Sequence, residues 1–189
     1  MNWKAIFNPF EKWDEKYLLA VGIVFFILNF FGCFYAGMIN DSIFHLSFLE
    51  ENQMLADVVK INTMSYLFAV ILLFILAKFI NKRARIIDII NTVLISQIPL
   101  ILTMPMMSLP FIKEANQNIK ESAGHFARIE MTDLMIVAIA GCTTLPFLGY
   151  SFVLYFNGFK TATNMRKWQH IVAFVIFSLI ITMVSQTIF

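Results

Sequence analysis

Residues 17–39 contain no charged side chain, and four further stretches come close to the same state: residues 62–80, 87–112, 134–159 and 168–189. No other feature constrains the fold as much. A bilayer's hydrocarbon core is about 30 Å thick and takes about 20 mostly apolar helical residues to cross. Lys78 lies near the end of the second run, where its long side chain reaches the headgroups. The third run departs most from an ideal span, because it holds Asp88, Pro99, Pro105 and Pro110. All five are continuous rather than alternating at period two, which favours helices over a barrel. The expected fold is therefore all-α: a polytopic membrane helix bundle of five transmembrane helices with short interfacial helices.

Composition agrees. The chain is 59% hydrophobic and 14% charged, where a soluble domain carries about a quarter charged residues. An ordinary soluble enzyme is excluded, and a net charge of +2 is too small to point to nucleic acid. Cys33 and Cys142 both sit in apolar runs and make no disulfide framework.

Residues 1–16 read as an amphipathic cytoplasmic lead, and residues 17–189 as one five-span membrane domain. The lead mixes Glu11, Asp14 and Glu15 with Lys4, Lys12 and Lys16, and the apolar run after it is too long for a signal-peptide core, so the first span is expected to be a retained anchor. Asn8, Pro9 and Glu11 occupy N-cap, first-turn and N3 positions of a helix start. Trp3, Phe7, Phe10 and Trp13 suit the headgroup zone. Lys78, Lys82, Arg83 and Arg85 follow span two, and Lys160, Arg166 and Lys167 follow span four. With the lysines of the lead, these make ten of the fourteen basic residues on one side. Lys60, Lys113, Lys120 and Arg128 fall on the other side, among eight acidic residues. The positive-inside rule then places the N-terminus in the cytoplasm and the C-terminus outside. In the first outer loop, Ser47 with Glu50 reads as a capping box, and Leu55, Val58 and Val59 as one face of a short amphipathic helix. The second outer loop, residues 113–133, is polar with weak periodicity.

Asp88 is the ionisable group with most to say, since an acidic residue within a span is a site hypothesis by default. Arg85 lies three residues earlier on the same helical face, which makes a near-interface ion pair the simpler reading. A solute pathway would run from Asp88 past Gln97 and Thr103, along a span kinked at Pro99, Pro105 and Pro110, with Pro146 kinking the fourth. Ser96, Thr103, Thr143 and Thr144 lie near those prolines, and hydroxyls there commonly satisfy helix carbonyls instead. Gly32 with Ala36, and Cys33 with Gly37, follow small-xxx-small spacing, and span four offers Ala138, Gly141 and Cys142. Such residues mark helix contacts, within the bundle or with a second copy.

His45 and His125 fall on the outer side among Asp41, Glu50, Glu51 and Glu121, without the spacing of a metal site. Nucleophile elbows, phosphate-cradling glycine loops and dinucleotide fingerprints are absent from the sequence. No cofactor, metal or enzymatic activity is expected.

Three stretches carry a family likeness. They are the Asn8-Pro9 pair in its amphipathic lead, residues 85–102 (RIIDIINTVLISQIPLIL) with the mid-span Pro99, and residues 155–164 (YFNGFKTATN) running into the last span. Together with the five-span layout they resemble the Yip1 domain family, and the last stretch looks like the turn between the final two spans of its bacterial members. The resemblance implies an integral protein of the bacterial inner membrane without catalysis, organising membrane proteins or lipids. The partners to expect are the bilayer, a membrane-protein partner or a second copy. The DLYGP-type motif of eukaryotic members is missing, so association with Rab-type GTPases is not implied.

Overall fold

The computed structural model describes residues 3–50, 52–122 and 130–189. Glu51, His125 and Arg128 lie outside the described residues. The chain forms α1 (Trp3–Phe7), a 3-10 turn (Pro9–Glu11), α2 (Glu15–Ala36), β1 (Met38–Ser42), β2 (His45–Phe48), α3 (Leu55–Ile80), α4 (Ile86–Ile101), α5 (Met104–Met107), α6 (Pro110–Glu121), α7 (Met131–Thr163) and α8 (Trp168–Ile188). Helices α2, α3, α7 and α8 are long and apolar enough to cross a membrane, and α4 is a shorter apolar helix.

Local chemistry sets the ends of these helices. Asp14 caps α2 by accepting the Lys16 N–H at 2.8 Å. Gly37 ends it in the left-handed region, φ 69°, where a residue with a Cβ is strained. Asp57 accepts the Met54 N–H at 2.8 Å and starts α3. Asn8 is no side-chain cap: its amide reaches Thr161 Oγ1 of α7 at 3.3 Å.

The third run differs from expectation. Its helix stops at Ile101, two residues beyond Pro99, instead of reaching Ile112. Pro105 and Pro110 do not kink a helix: each lies in the first turn of the next one, α5 and α6, where a missing N–H costs nothing. Pro146 is the proline of a long-helix interior. Helix α4 lies between α2 and α7, with residues 91–97 all buried. A helix clad in protein rather than lipid is free to end early, because its backbone groups still find partners.

The segment between α2 and α3 also differs from expectation. Ser47 lies in β2 and makes no capping box, and Leu55, Val58 and Val59 are the first turns of α3 itself. Strands β1 and β2 form an antiparallel hairpin with Met38 opposite Phe48 and Ser42 opposite His45. The hairpin is tied to its neighbours: Asn40 N–H donates to Asn62 Oδ1 at 2.9 Å, and Ser185 Oγ donates to the Asp41 carbonyl at 2.5 Å. Between α5 and α7, residues 110–121 form a helix with Ile112 and Ala115 buried, where a polar loop was expected from residue 113.

Apolar side chains face outward. Ile23, Val24, Ile27, Leu28 and Phe31 of α2 are exposed, while Asn29 is buried. That inverted pattern belongs to a chain whose solvent is lipid. The protein is an integral membrane protein built as an α-helical bundle.

Candidate functional site

One end of the bundle gathers the N-terminal lead, the α3–α4 turn and the α7–α8 turn. Helix α7 holds the lead in place: Tyr150 OH donates to the Ile6 carbonyl and Asn157 Nδ2 to the Phe7 carbonyl, both at 2.8 Å. Asn81 Nδ2, in the α3–α4 turn, donates to the Thr163 carbonyl at 3.3 Å.

Between these pieces lies a polar cleft of about 490 Å³. Phe10, Trp13 and Asp14 of the lead form one wall with Glu15 and Leu18 of α2. Arg85, Asp88 and Asn91 form a second, and Gly158, Thr161 and Ala162 of α7 a third. Arg85 grips Asp88 through two hydrogen bonds, Nε to Oδ2 at 3.1 Å and Nη2 to Oδ1 at 2.8 Å. The same Nη2 lies 2.5 Å from Glu15 Oε2, so the first turns of α2 and α4 share one cation. Hydrogen bonding to Asp88, then its charge, then Glu15 raise the Arg85 pKa above its ordinary value. The clasp is exposed, and its worth is in aligning groups rather than in stability.

Asn91 is the buried polar group of this cleft, 2% exposed. Its Nδ2 donates to the Glu15 carbonyl at 3.0 Å, while Oδ1 has no hydrogen-bond partner. The close approach of α7 depends on Gly158, where a Cβ would stand 2.7 Å from Thr92 Oγ1 and 2.9 Å from the Phe10 ring.

Of the residues of the expected intramembrane polar site, Arg85 and Asp88 lie here, and Gln97 and Thr103 do not. Those two line a separate cavity of about 150 Å³ with Asn29, Asn40 and Tyr66. Between the two sites, α4 contributes Val93, Leu94 and Ile95, all buried. Ile95 packs with Leu18 and Leu154, and Leu94 meets the backbone of α2 at Gly22. Ser96, Thr103, Thr143 and Thr144 each donate to a carbonyl three residues back in the chain.

Gly32 packs on Met104, whose Cβ stands 3.1 Å from where a Cβ would be, and Ala36 is buried beside Cys33 and Met104. Gly141 meets nothing within 4 Å, so it makes no close helix contact among the described residues. His45 pairs with Asp41 at 2.8 Å. Among the described residues no group of three His, Cys, Asp or Glu is placed to hold a metal ion.

The family model of the Yip1 domain matches residues 3–189. The chain belongs to the Yip1 domain family. No curated protein and no solved structure matches it. In this Yip1-domain chain the three stretches behind the sequence likeness meet at the cleft: residues 85–102 supply Arg85, Asp88 and Asn91, residues 155–164 supply Gly158, Thr161 and Ala162, and Asn8 bonds Thr161 beside them. Asp14, Glu15, Asn91, Gly158 and Thr161 were not singled out by the sequence. Asn91 was within reach of it, since it follows Asp88 by three residues on the same helical face.

Proposed function

We propose that this Yip1-domain protein is a non-enzymatic multi-pass protein that organises lipid or protein partners of its membrane, with the polar cleft as its contact site. The observation that carries this reading is the apolar layer packed inside the bundle. Gly22, Leu94, Leu18, Ile95 and Leu154 separate the Asp88 cleft from the Gln97 cavity, so the polar groups form two pockets instead of one path. A cleft open at one end of a membrane bundle suits a partner that arrives along the surface. The charge asymmetry of the sequence supports a cytoplasmic position for that end, and the likeness of residues 155–164 to bacterial members supports the bacterial inner membrane.

The test has two halves. Protein extracted with its surrounding lipid is expected to retain a lipid or protein partner at fixed stoichiometry by mass spectrometry. Vesicles reconstituted with the purified protein are expected to show no ion or small-solute flux above protein-free vesicles. A flux abolished by Gln97→Ala overturns the reading. The second reading, a small-solute or ion transporter component, is favoured by the buried polar cavity at Gln97 and Thr103, and it requires that Asp88→Asn stop such a flux.

A further inference from the structure

The β1–β2 hairpin dips into the bundle. Its tip is Ile43-Phe44, two apolar residues between the paired Ser42 and His45. Phe44 packs on Phe152 and Tyr155 of α7, with ring centroids 4.3 Å and 5.1 Å away. Tyr155 OH accepts a hydrogen bond from Ser178 Oγ at 3.3 Å, and Ser178 is the middle residue of the 21-residue α8. At the base of the hairpin, the Leu49 N–H donates to the carbonyl of Gly37, the C-cap of α2, at 2.9 Å. The tip therefore reaches about half-way along a helix long enough to cross the membrane.

Non-helical backbone at that depth needs partners, either protein or water held in a cavity. Strand β1 has protein: Asn62 and Ser185 bond its free edge. Strand β2 does not. The sheet has two strands, and among the described residues no side chain bonds the backbone of residues 45–48. His45 and Leu46 line the cavity of about 150 Å³ that Gln97 and Thr103 also face. Gln97 is 3% exposed; its Nε2 donates to Ser96 Oγ at 3.4 Å, and its Oε1 has no partner among the described residues. That oxygen can still be reached. The side-chain atoms both unbonded and fully sealed are Asn62 Nδ2, Asn91 Oδ1 and Ser151 Oγ, and Gln97 Oε1 is not one of them.

The lining selects the occupant. It offers amides, hydroxyls and one imidazole but no Asp, Glu, Lys or Arg, so an ion finds no counter-charge on it. A hydrocarbon chain would leave Gln97 Oε1 and the edge of β2 unmet. Water donates and accepts, and so meets both. We propose that residues 38–48 are a re-entrant hairpin and that the cavity beside it is a site for a cluster of about five water molecules, bonded to Gln97 Oε1, Thr103 Oγ1 and the edge of β2. The same cluster hydrates His45, whose Nδ1 is taken by Asp41 at 2.8 Å, and thereby supports an ionisable pair inside the bundle. This inference goes beyond the proposed function and does not rest on it, because the water ends at the layer of Leu94 and Ile95.

Solid-state NMR of the full chain in lipid bilayers tests both parts. Magnetisation from water is expected to reach the Nε2 protons of Gln97 as fast as those of exposed Gln117, and several times faster than the backbone N–H groups of buried Val93 and Ile95. Gln97→Leu removes the acceptor and leaves a more apolar cavity, so transfer from water to His45 and Leu46 is expected to fall by about half or more. If Gln97→Leu fails to fold, Thr103→Val takes its place. For the depth of the hairpin, a nitroxide at the middle of the lipid chains is expected to broaden the Phe44 signals more than one on the headgroup.

Transfer to Gln97 as slow as to Val93 makes the cavity dry. Transfer from lipid-chain protons to Gln97 puts a hydrocarbon chain in it. Unchanged transfer to His45 and Leu46 in the folded variant means that water reaches them from outside the cavity. Stronger broadening of Phe44 by the headgroup nitroxide places the hairpin at the membrane surface. Each of these overturns the proposal. Solute flux in reconstituted vesicles bears on the proposed function and leaves the water site as it is.

Discussion

Gly22 and Gly141 are both glycines in spanning helices, and the structure gives them opposite meanings. A Cβ at Gly22 would stand 2.8 Å from the Cβ of Leu94, an atom that moves only with the backbone of α4. A Cβ at Gly141 would meet nothing within 4 Å. Gly22→Ala is therefore expected to destabilise the bundle by about 1–3 kcal/mol, as overpacking of a closed contact does. Gly141→Ala is expected to be neutral or slightly stabilising. Thermal unfolding in one detergent checks the pair, and an unchanged midpoint for Gly22→Ala would show that α2 and α4 sit further apart. The clasp invites a second comparison. Asp88→Asn removes one charge of an exposed set in which Arg85 keeps Glu15, so a near-native unfolding midpoint is expected. The sequence pattern found Gly32 and Ala36, which do pack, but not Gly22 or Gly158. Small-xxx-small spacing describes one helix, whereas the close partners Leu94 and Thr92 lie some seventy residues away in the chain.

The elements differ in how much of themselves they show in the sequence. The long spans were legible because about 20 apolar residues in a row have few other uses. The hairpin was not, since two strands of five and four residues are too short for a period to register. Its buried polar residues Asn40, Asp41 and Ser42 also look like an exposed loop until their partners are seen. Those partners come from α3 and α8, and one of them yields a prediction. Ser185 Oγ is buried and donates to the Asp41 carbonyl at 2.5 Å, so Ser185→Ala leaves that acceptor without its hydroxyl partner. The cost of one such bond is about 0.5–1.5 kcal/mol. Amide exchange over residues 38–48 in lipid nanodiscs is expected to rise by roughly twofold to tenfold, with residues 86–101 unchanged. A uniform rise would mean that Ser185 supports the whole fold instead of pinning the hairpin.

For the whole molecule, the open question of architecture is whether α4 crosses the bilayer. Its 16 residues span roughly 24 Å, short of a hydrocarbon core of about 30 Å. The connections at its two ends argue that it does: beyond its far end, Lys113 Nζ donates to the Tyr35 carbonyl at the end of α2, and Asn118 Nδ2 to Asp133 Oδ2 at the start of α7. Arg85 at its start is clasped to Glu15 at the start of α2, and the turn just before it is bonded from Asn81 to Thr163 at the end of α7. The α3–α4 and α7–α8 turns therefore share one end of the bundle, as α4 and α7 running in opposite directions requires. Cysteines placed at exposed Lys82 and Arg166 test this in a Cys142→Ser chain with buried Cys33 retained. An impermeant thiol reagent is expected to label both from the same face of sealed vesicles, with Glu50→Cys and Gln117→Cys labelled only from the other. If α4 turned back instead of crossing, Lys82→Cys and Arg166→Cys would be labelled from opposite faces. The same vesicles orient the molecule, because ten of its fourteen basic residues belong to the end that holds Lys82 and Arg166. The positive-inside rule predicts that labelling on the cytoplasmic face, where the cleft would meet the headgroups of the inner leaflet.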